Sequence, residues 1–565
     1  MSKEPDEGRH ASEVPPDRAS RARHAFWRQR SREVLALAVS SVVLFALCLT
    51  VYLAHHAVRD VAAATGRLQG GGWSVAPTGV VHGYGGAPVY GAPPRSAKKS
   101  PIVAIAATPD GHGYWLVPAD GDVLHFGDAG FYGSPSAHQL TKPIVAMAAT
   151  PDGHGYWLVS ADGEVLHFGD ATFLGSASTI SDQMVSSIVA AFGGYEVVAQ
   201  DGTWLNFHRS TLAPRVLVQG RHVSMGRSTL RLLGVDASGT EDACTSSNDV
   251  SWIPLSRTEA SSIAAWHVNA VRVPLNEDCW LGVNGLPRDF GRSAYRRAIV
   301  QWVDAINDAG MVAILDLHWS APASIAADEQ WPMADADHSL DFWYQVAGTF
   351  ADDPSVMFDL FNEPSLGGQH PTSRDWACLL SGCITSFEGI SYRAAGMQQL
   401  LDVVRSAGAV QPVIVDSLNW SGDPCGIYDS PTAASKCQAI VYMPNDPERQ
   451  LAIGFHTYNW TLCNHLSCWD KSVLVAAQSV PVVTTELGED NCSATYIDDY
   501  TSWADSHKLS YLAWSWNPPV NGETCSQANM SLISGPEGHP STVAPAGAAF
   551  EAHLAYLSRE EQPHK

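Results

Sequence analysis

Val356-Met357-Phe358-Asp359-Leu360-Phe361-Asn362-Glu363-Pro364 is an apolar run that ends abruptly in Asn-Glu-Pro. The run reads as a buried strand. Proline cannot continue the ladder, so the strand stops there. A carboxylate left at the C-terminal end of a buried strand is where a (β/α)8 barrel places its chemistry. Taken alone, Glu363 reads first as the cap of a loop. The sequence on either side decides between the two.

Outward from this stretch, apolar strand-like runs alternate with helical ones, the βα pattern of a parallel barrel. Eight strands are expected, at Leu230–Ala237, Ala270–Leu275, Met311–His318, Val356–Asn362, Pro412–Asp416, Leu451–Tyr458, Pro481–Leu487 and Leu512–Trp516. Ser293–Ala309 and Tyr392–Ala407 are expected as helices between them. The barrel domain is drawn at 215–558, with a short tail at 559–565. Polar and aromatic residues recur at the C-terminal strand ends. Arg272 lies on the second strand. The third ends in Asp316-Leu317-His318-Trp319, the fourth in Asn362-Glu363 and the sixth in His456-Thr457-Tyr458. The seventh ends in Thr485-Glu486-Leu487-Gly488, the eighth in Trp514-Ser515-Trp516-Asn517. Glu363 and Glu486 are expected to face each other across the barrel mouth. Two carboxylates flanking one bond are what glycoside hydrolysis needs. Glu489 and Asp490 are expected to face solvent, and Asp316 to make a structural hydrogen bond.

The N-terminal part is organised differently. Residues 1–33 carry arginines at 18, 21, 23, 28, 30 and 32 and read as a disordered cytoplasmic tail. Residues 34–54 hold no charge, long enough for a helix across about 30 Å of hydrocarbon. With the arginines before it, the segment reads as a transmembrane signal anchor, N-terminus inside and the rest outside. A cleavable signal peptide, giving a secreted form, is the alternative. Residues 55–100 form a Gly/Pro/Ala-rich linker.

Residues 101–212 hold an internal repeat. Pro101-Ile102-Val103-Ala104 recurs as Pro143-Ile144-Val145-Ala146, a period of 42, and a worn third copy starts near Ile188. Each unit reads as three short strands divided by Asp-Gly turns, a small all-β, propeller-blade-like module. Tyr114, Trp115, Tyr156 and Trp157 are either its core or a contact to cell wall or another polymer.

Composition narrows the function. The chain of 565 residues is 45% hydrophobic and 16% charged, a globular composition, and its formal net charge of -24 argues against nucleic acid as a partner. Nineteen Trp suit surfaces that stack on flat faces such as sugar rings, as well as cores. Of 11 Cys, Cys48 lies in the apolar segment and the other ten fall between Cys244 and Cys525. An even ten suggests up to five disulfides in an oxidising compartment. Cys378/Cys383, Cys425/Cys437 and Cys463/Cys468 are close enough to close small loops, and Cys244/Cys279 and Cys492/Cys525 would complete the set. Sequence does not settle the connectivity. No Cys-x-x-Cys pair supports zinc.

From about Arg221 to Leu557 the chain resembles glycoside hydrolase family 5, the cellulase-type retaining hydrolases. The resemblance rests on Asn362-Glu363-Pro364, on Glu486 and on the opening Leu233-Gly234-Val235-Asp236. It implies a (β/α)8 TIM barrel with Glu363 as acid/base and Glu486 as nucleophile. Arg272, His318, Asn362, His456, Tyr458 and Trp516 match the family's supporting and substrate-binding positions. Trp319, Trp331, Trp420 and Trp460 are candidate subsite aromatics. No cofactor or metal is implied. The expected partner is a β-linked polysaccharide or oligosaccharide, β-1,4-glucan before mannan or another β-glycan. A non-catalytic surface polysaccharide-binding protein is the alternative from another class.

Overall fold

The computed structural model describes residues 72–93, 100–135, 140–180, 184–191, 194–208, 213–246, 249–286, 293–428, 436–491, 493–519, 530–535 and 545–560. The tail at 1–33, the apolar run at 34–54, half of the linker (55–71 and 94–99), residues 561–565, Cys48 and the Cys492/Cys525 pair lie outside them. Among the described residues no helix is long and apolar enough to cross a membrane. They fall into two compact units: a small one holding residues 72–74 and 82–89, and one holding 75–81 and everything from Tyr90 onward.

Each repeat forms a three-stranded antiparallel sheet. The first is Ile102–Ala107, Gly113–Pro118 and Leu124–Gly127; the second is Ile144–Ala149, Gly155–Ser160 and Val165–Gly169. The worn copy still makes the third, from Val185–Ala191, Gly194–Ala199 and Trp204–His208. The Asp-Gly turns need glycine, because Gly111 and Gly153 sit at φ 73° and 75°. The repeated aromatics are core. Tyr114, Trp115, Tyr156 and Trp157 are all buried. The Tyr114, Tyr156 and Tyr195 hydroxyls donate to the carbonyls of Gly91, Gly133 and Gly175, each some 20 residues upstream. The Trp115 and Trp157 indoles donate to Gly130 and Thr172. A Tyr or Trp placed on alternate faces of a central strand fills the sheet's interior and satisfies its polar tip there. Of the two readings of these four aromatics, the core one holds.

The remaining chain closes an eight-stranded parallel barrel: β1 (Leu233–Asp236), β2 (Ala270–Asn276), β3 (Val312–Trp319), β4 (Val356–Asp359), β5 (Val413–Asp416), β6 (Leu451–Tyr458), β7 (Val482–Gly488) and β8 (Ser510–Ala513). It closes through β1 and β8, with Leu233 opposite Tyr511. All eight expected strands form, with shifted ends. β4 stops at Asp359, because Asn362 and Glu363 already belong to the loop. The helix Ser293–Asp308 forms as expected. The one expected at Tyr392–Ala407 starts only at Met397. Its first residues instead pair Ile390–Ala394 with Cys383–Phe387 in a hairpin, where β-branched Ile390 and aromatic Tyr392 suit an extended chain.

At the N-terminal end of the barrel a strand pair, Val216–Gln219 with His222–Met225, sends Val216 and Val223 against Ala270, Val312, Met357 and Leu512. This apolar plug leaves the opposite, C-terminal face as the open one. Disulfides join Cys244–Cys279, Cys378–Cys383, Cys425–Cys437 and Cys463–Cys468, four of the five expected pairs.

The Cys244–Cys279 bridge closes a loop of separation 35, the Cys378–Cys383 bridge one of 5. On a chain-entropy basis, replacing the first pair by serine costs about 4 kcal/mol and the second about 2 kcal/mol. Denaturant unfolding of the two double variants should show that order.

Candidate active site

The C-terminal face is built around one cation. Arg272, on β2, is completely buried. Its NH1 donates to Asp236 Oδ1 at 3.1 Å and Glu486 Oε1 at 2.7 Å, and its Nε to Asp359 Oδ2 at 3.0 Å. NH2 lies 3.1 Å from Asp316 Oδ2 and donates to Asn362 Oδ1 at 2.9 Å. These partners project inward from β1, β3, β4, β7 and the loop after β4, which is why strands so far apart in sequence converge on it. Four carboxylates around one guanidinium cannot all stay charged away from water. Burial pushes Asp316 and Asp359 up to about 7, and Asp236 well above the usual carboxylate range. Burial works against the Arg272 charge, but the surrounding carboxylates outweigh it and hold the group well above its ordinary value.

Glu486, at the end of β7, takes Arg272 on Oε1 and the Tyr458 hydroxyl on Oε2. Glu363 follows β4 in a left-handed conformation, φ 51°, which turns its side chain into the mouth. Its Oε1 lies 2.9 Å from His456 Nδ1, and the same nitrogen is 3.4 Å from Glu486 Oε2. One oxygen of Glu363 and one of Glu486 lie within 4.8 Å of each other. Burial pushes Glu363 up to about 7 and drives His456 down to about 3, so the imidazole is neutral. The three side chains have the spacing of metal ligands, yet Arg272 and Tyr458 already hold both Glu486 oxygens. A fixed cation at 2.7 Å opposes a second one there.

Asn362 is held from three sides. Its Oδ1 accepts from Arg272, and its Nδ2 lies 3.3 Å from His318 Nε2 and donates to Gln330 Oε1 at 3.2 Å. His318 Nδ1 is 2.6 Å from Asp316 Oδ2, the structural bond expected for Asp316. Burial drives His318 down to about 3, so a neutral ring donating from Nδ1 and accepting at Nε2 satisfies both neighbours.

These groups open into a cleft of roughly 410 Å³ whose walls include Gln369, Asn419, Trp420, Trp460, Trp514 and Met530. Trp420 and Trp460 are each 39% exposed, as a stacking surface requires. Trp460 stacks on Tyr458, ring centres 4.6 Å apart. The Trp420 N–H donates to Pro364 O, which ties the loop after β5 to the Asn-Glu-Pro turn.

Four sequence expectations are corrected. Trp516 is fully buried; its indole donates to Glu259 at 2.7 Å and its ring meets the edge of Trp266. Trp514 stands in the cleft instead, stacked on His318 at 5.5 Å. Residues two apart share a face only while the strand lasts, and β8 ends at Ala513. Trp331 is buried against Phe387 and Tyr392, filling the base of the hairpin. Trp319 is half-buried against the core and is not part of the cleft wall. Glu489 does not face solvent: it is 2% exposed and accepts the N–H groups of Ala494 and Tyr496 at the start of helix Thr495–Ser506.

Residues 235–519 match the family model described as cellulase (glycosyl hydrolase family 5). The chain belongs to glycosyl hydrolase family 5. This family 5 protein is a glycoside hydrolase by that membership. Among solved structures it is similar to the catalytic domain of Thermobifida fusca endoglucanase Cel5A, at 17% identity over 60% of this chain and 97% of that one, TM-score 0.43. An endo-β-1,4-glucanase of Xanthomonas axonopodis pv. citri aligns at 18% identity over 58% of this chain and 99% of that one, TM-score 0.42.

The two tryptophans after β8 separate experimentally. Trp516→Ala should lower the unfolding free energy by about 3–5 kcal/mol, the cost of emptying a buried indole site. Trp514→Ala should leave the melting temperature nearly unchanged and raise KM for oligosaccharides.

Proposed function

We propose that this family 5 hydrolase cleaves β-1,4-linked glucan with retention of configuration, by double displacement. The observation that carries the reading is the approach of one Glu363 oxygen and one Glu486 oxygen to within 4.8 Å, with His456 Nδ1 touching both carboxylates. Retaining enzymes keep the two groups about 5–5.5 Å apart, whereas inverting ones need about 6.5–9.5 Å to admit a water. Glu486 is the nucleophile. Arg272 and Tyr458 donate to both its oxygens and aim it. Glu363 is the acid/base. Raised to about 7, it still holds a proton for the leaving oxygen and can then take one from water. Asn362, preset by Arg272, His318 and Gln330, meets the sugar 2-hydroxyl, a contact that strengthens in the transition state.

An uncharged polymer suits the walls. Trp420, Trp460 and Trp514 offer flat faces for sugar rings, and Gln369 and Asn419 offer amides for hydroxyls. We further propose that the enzyme works outside the cell, tethered by residues 34–54. Four disulfides support an oxidising compartment, and the arginines preceding that run support an inside N-terminus.

On soluble β-glucan, Glu363→Ala and Glu486→Ala should each cut reducing-end release by about 10²-fold or more, and near-normal activity in either would refute the pair. Proton NMR of an early time point should show the β-anomer first. The general acid must be protonated, and its carboxyl titrates at about 7. Activity on unactivated glucan should therefore fall as pH rises through that value.

A further inference from the structure

Asp416, the last residue of β5, makes contacts that the proposed roles leave unused. It is completely buried. Its Oδ2 accepts the backbone N–H of Glu363 at 3.1 Å, at the very residue held in a left-handed conformation. A left-handed φ is costly for a residue with a side chain unless its surroundings impose it. The same Oδ2 lies 3.5 Å from Nε2 of His456, whose other nitrogen touches Glu363. His456 Nε2 and Asp416 Oδ1 are both buried without a hydrogen-bond partner among the described residues. Buried polar atoms are nearly always paired, and catalytic hydrogen bonds often tighten only when substrate binds. The facing backbone leaves room for the carboxyl: a Cβ on Gly454 would fall 1.8 Å from Asp416 Oδ1.

We propose that Asp416 is a positioning residue for Glu363, acting as a neutral carboxylic acid that accepts the Glu363 N–H and donates its own proton to His456 Nε2. The chain of donors then has one direction. Asp416 donates to Nε2, so Nδ1 carries the ring hydrogen and donates to Glu363 Oε1. Glu363 Oε2 is left to carry the proton meant for the leaving oxygen. The opposite arrangement, a charged Asp416 accepting from Nε2, would leave Nδ1 bare against the Glu363 and Glu486 oxygens 2.9 and 3.4 Å away. Once Glu363 had given up its proton, that lone pair would face two carboxylates with nothing to donate. Burial agrees with the first arrangement, since it raises Asp416 well above the usual carboxylate range and keeps His456 neutral. No proton is consumed in this role; Asp416 and His456 keep theirs through both half-reactions.

The inference rests on the reading of Glu363 as the acid, so the experiment tests the two separately. Asp416→Ala, Asp416→Asn and Glu363→Ala would be assayed for kcat/KM on soluble β-1,4-glucan and on 2,4-dinitrophenyl β-cellobioside. The nitrophenolate leaves without protonation, and kcat/KM reports bond cleavage alone. Asp416→Ala should lose about 10²-fold on glucan and only a few-fold on the dinitrophenyl substrate, the mark of a disabled general acid. Asp416→Asn should lose activity selectively on glucan, because Oδ2 meets both the Glu363 N–H and Nε2, and an amide atom at that position can accept or donate but not both. Equal losses on the two substrates, or none, for Asp416→Ala would overturn the proposal. So would an Asp416→Asn variant that stays near wild type on glucan, which would mean that an acceptor alone suffices, or one equally impaired on both substrates. The near-isosteric asparagine variant decides alone if the alanine variant does not fold. A Glu363→Ala variant that fails to discriminate between the substrates would instead overturn the assignment of Glu363.

Discussion

One buried arginine sets the terms for the rest of the site. Arg272 reaches the carboxylates of Asp236, Asp316, Asp359 and Glu486 within 3.1 Å and the amide oxygen of Asn362. A guanidinium presents five donors in a rigid plane, so each acceptor has a fixed address. Removing one member of such a buried cluster typically costs about 3–5 kcal/mol, because the others are left uncompensated. The strand ends are thus held in register by electrostatics as well as by the ladder. Burial, against the pull of Arg272, explains why Asp316 and Asp359 titrate near neutrality. Burial likewise raises Glu363, opposed by Arg272 and helped by Asp316.

Around this centre the supporting groups work in chains. Asp316 orients His318, and His318 and Gln330 orient the Asn362 amide. His456 stands between the two glutamates, with Asp416 behind it. Each link restricts a tautomer or a rotamer, so the two glutamates and the Asn362 amide are held in one arrangement. The aromatic walls depend on another kind of support. Trp420 sits in a turn where Asn419, Trp420 and Ser421 all have positive φ, and a backbone bond to Pro364 holds that turn. Strain of this kind collects at functional clefts.

Much of this is legible in the sequence. Eight apolar runs at βα spacing predicted the barrel, and the polar residues at their ends predicted the face. Glu363, Glu486, Arg272, His318, Asn362, His456 and Tyr458 do come together at one mouth, because alternation along a strand makes side-chain direction readable. Short-range cysteine spacing anticipated three bridges. What failed lay where periodicity ends. Trp516 and Trp514 differ by two positions, and once β8 stops the chain no longer keeps them on one face. Trp331 and Trp319 occur in loop or strand-end contexts whose packing partners come from elsewhere. The hairpin at Cys383–Ala394 was hidden by residues that also suit the helix start. Gln330, from the long loop after β3, carried no signal at all.

The sequence by itself therefore determined the βα order, the face that carries chemistry and the pair of glutamates, since these follow from local pattern and from side-chain alternation. The tertiary structure alone decided the distance between the glutamates, the sharing of Arg272 among four carboxylates and the choice of Trp514 over Trp516. It also decided that the repeat's Tyr-Trp pairs are core. All of these depend on contacts between residues tens to hundreds of positions apart, such as Arg272 with Glu486, 214 positions away. Closure of the barrel creates those contacts, and no local window contains them.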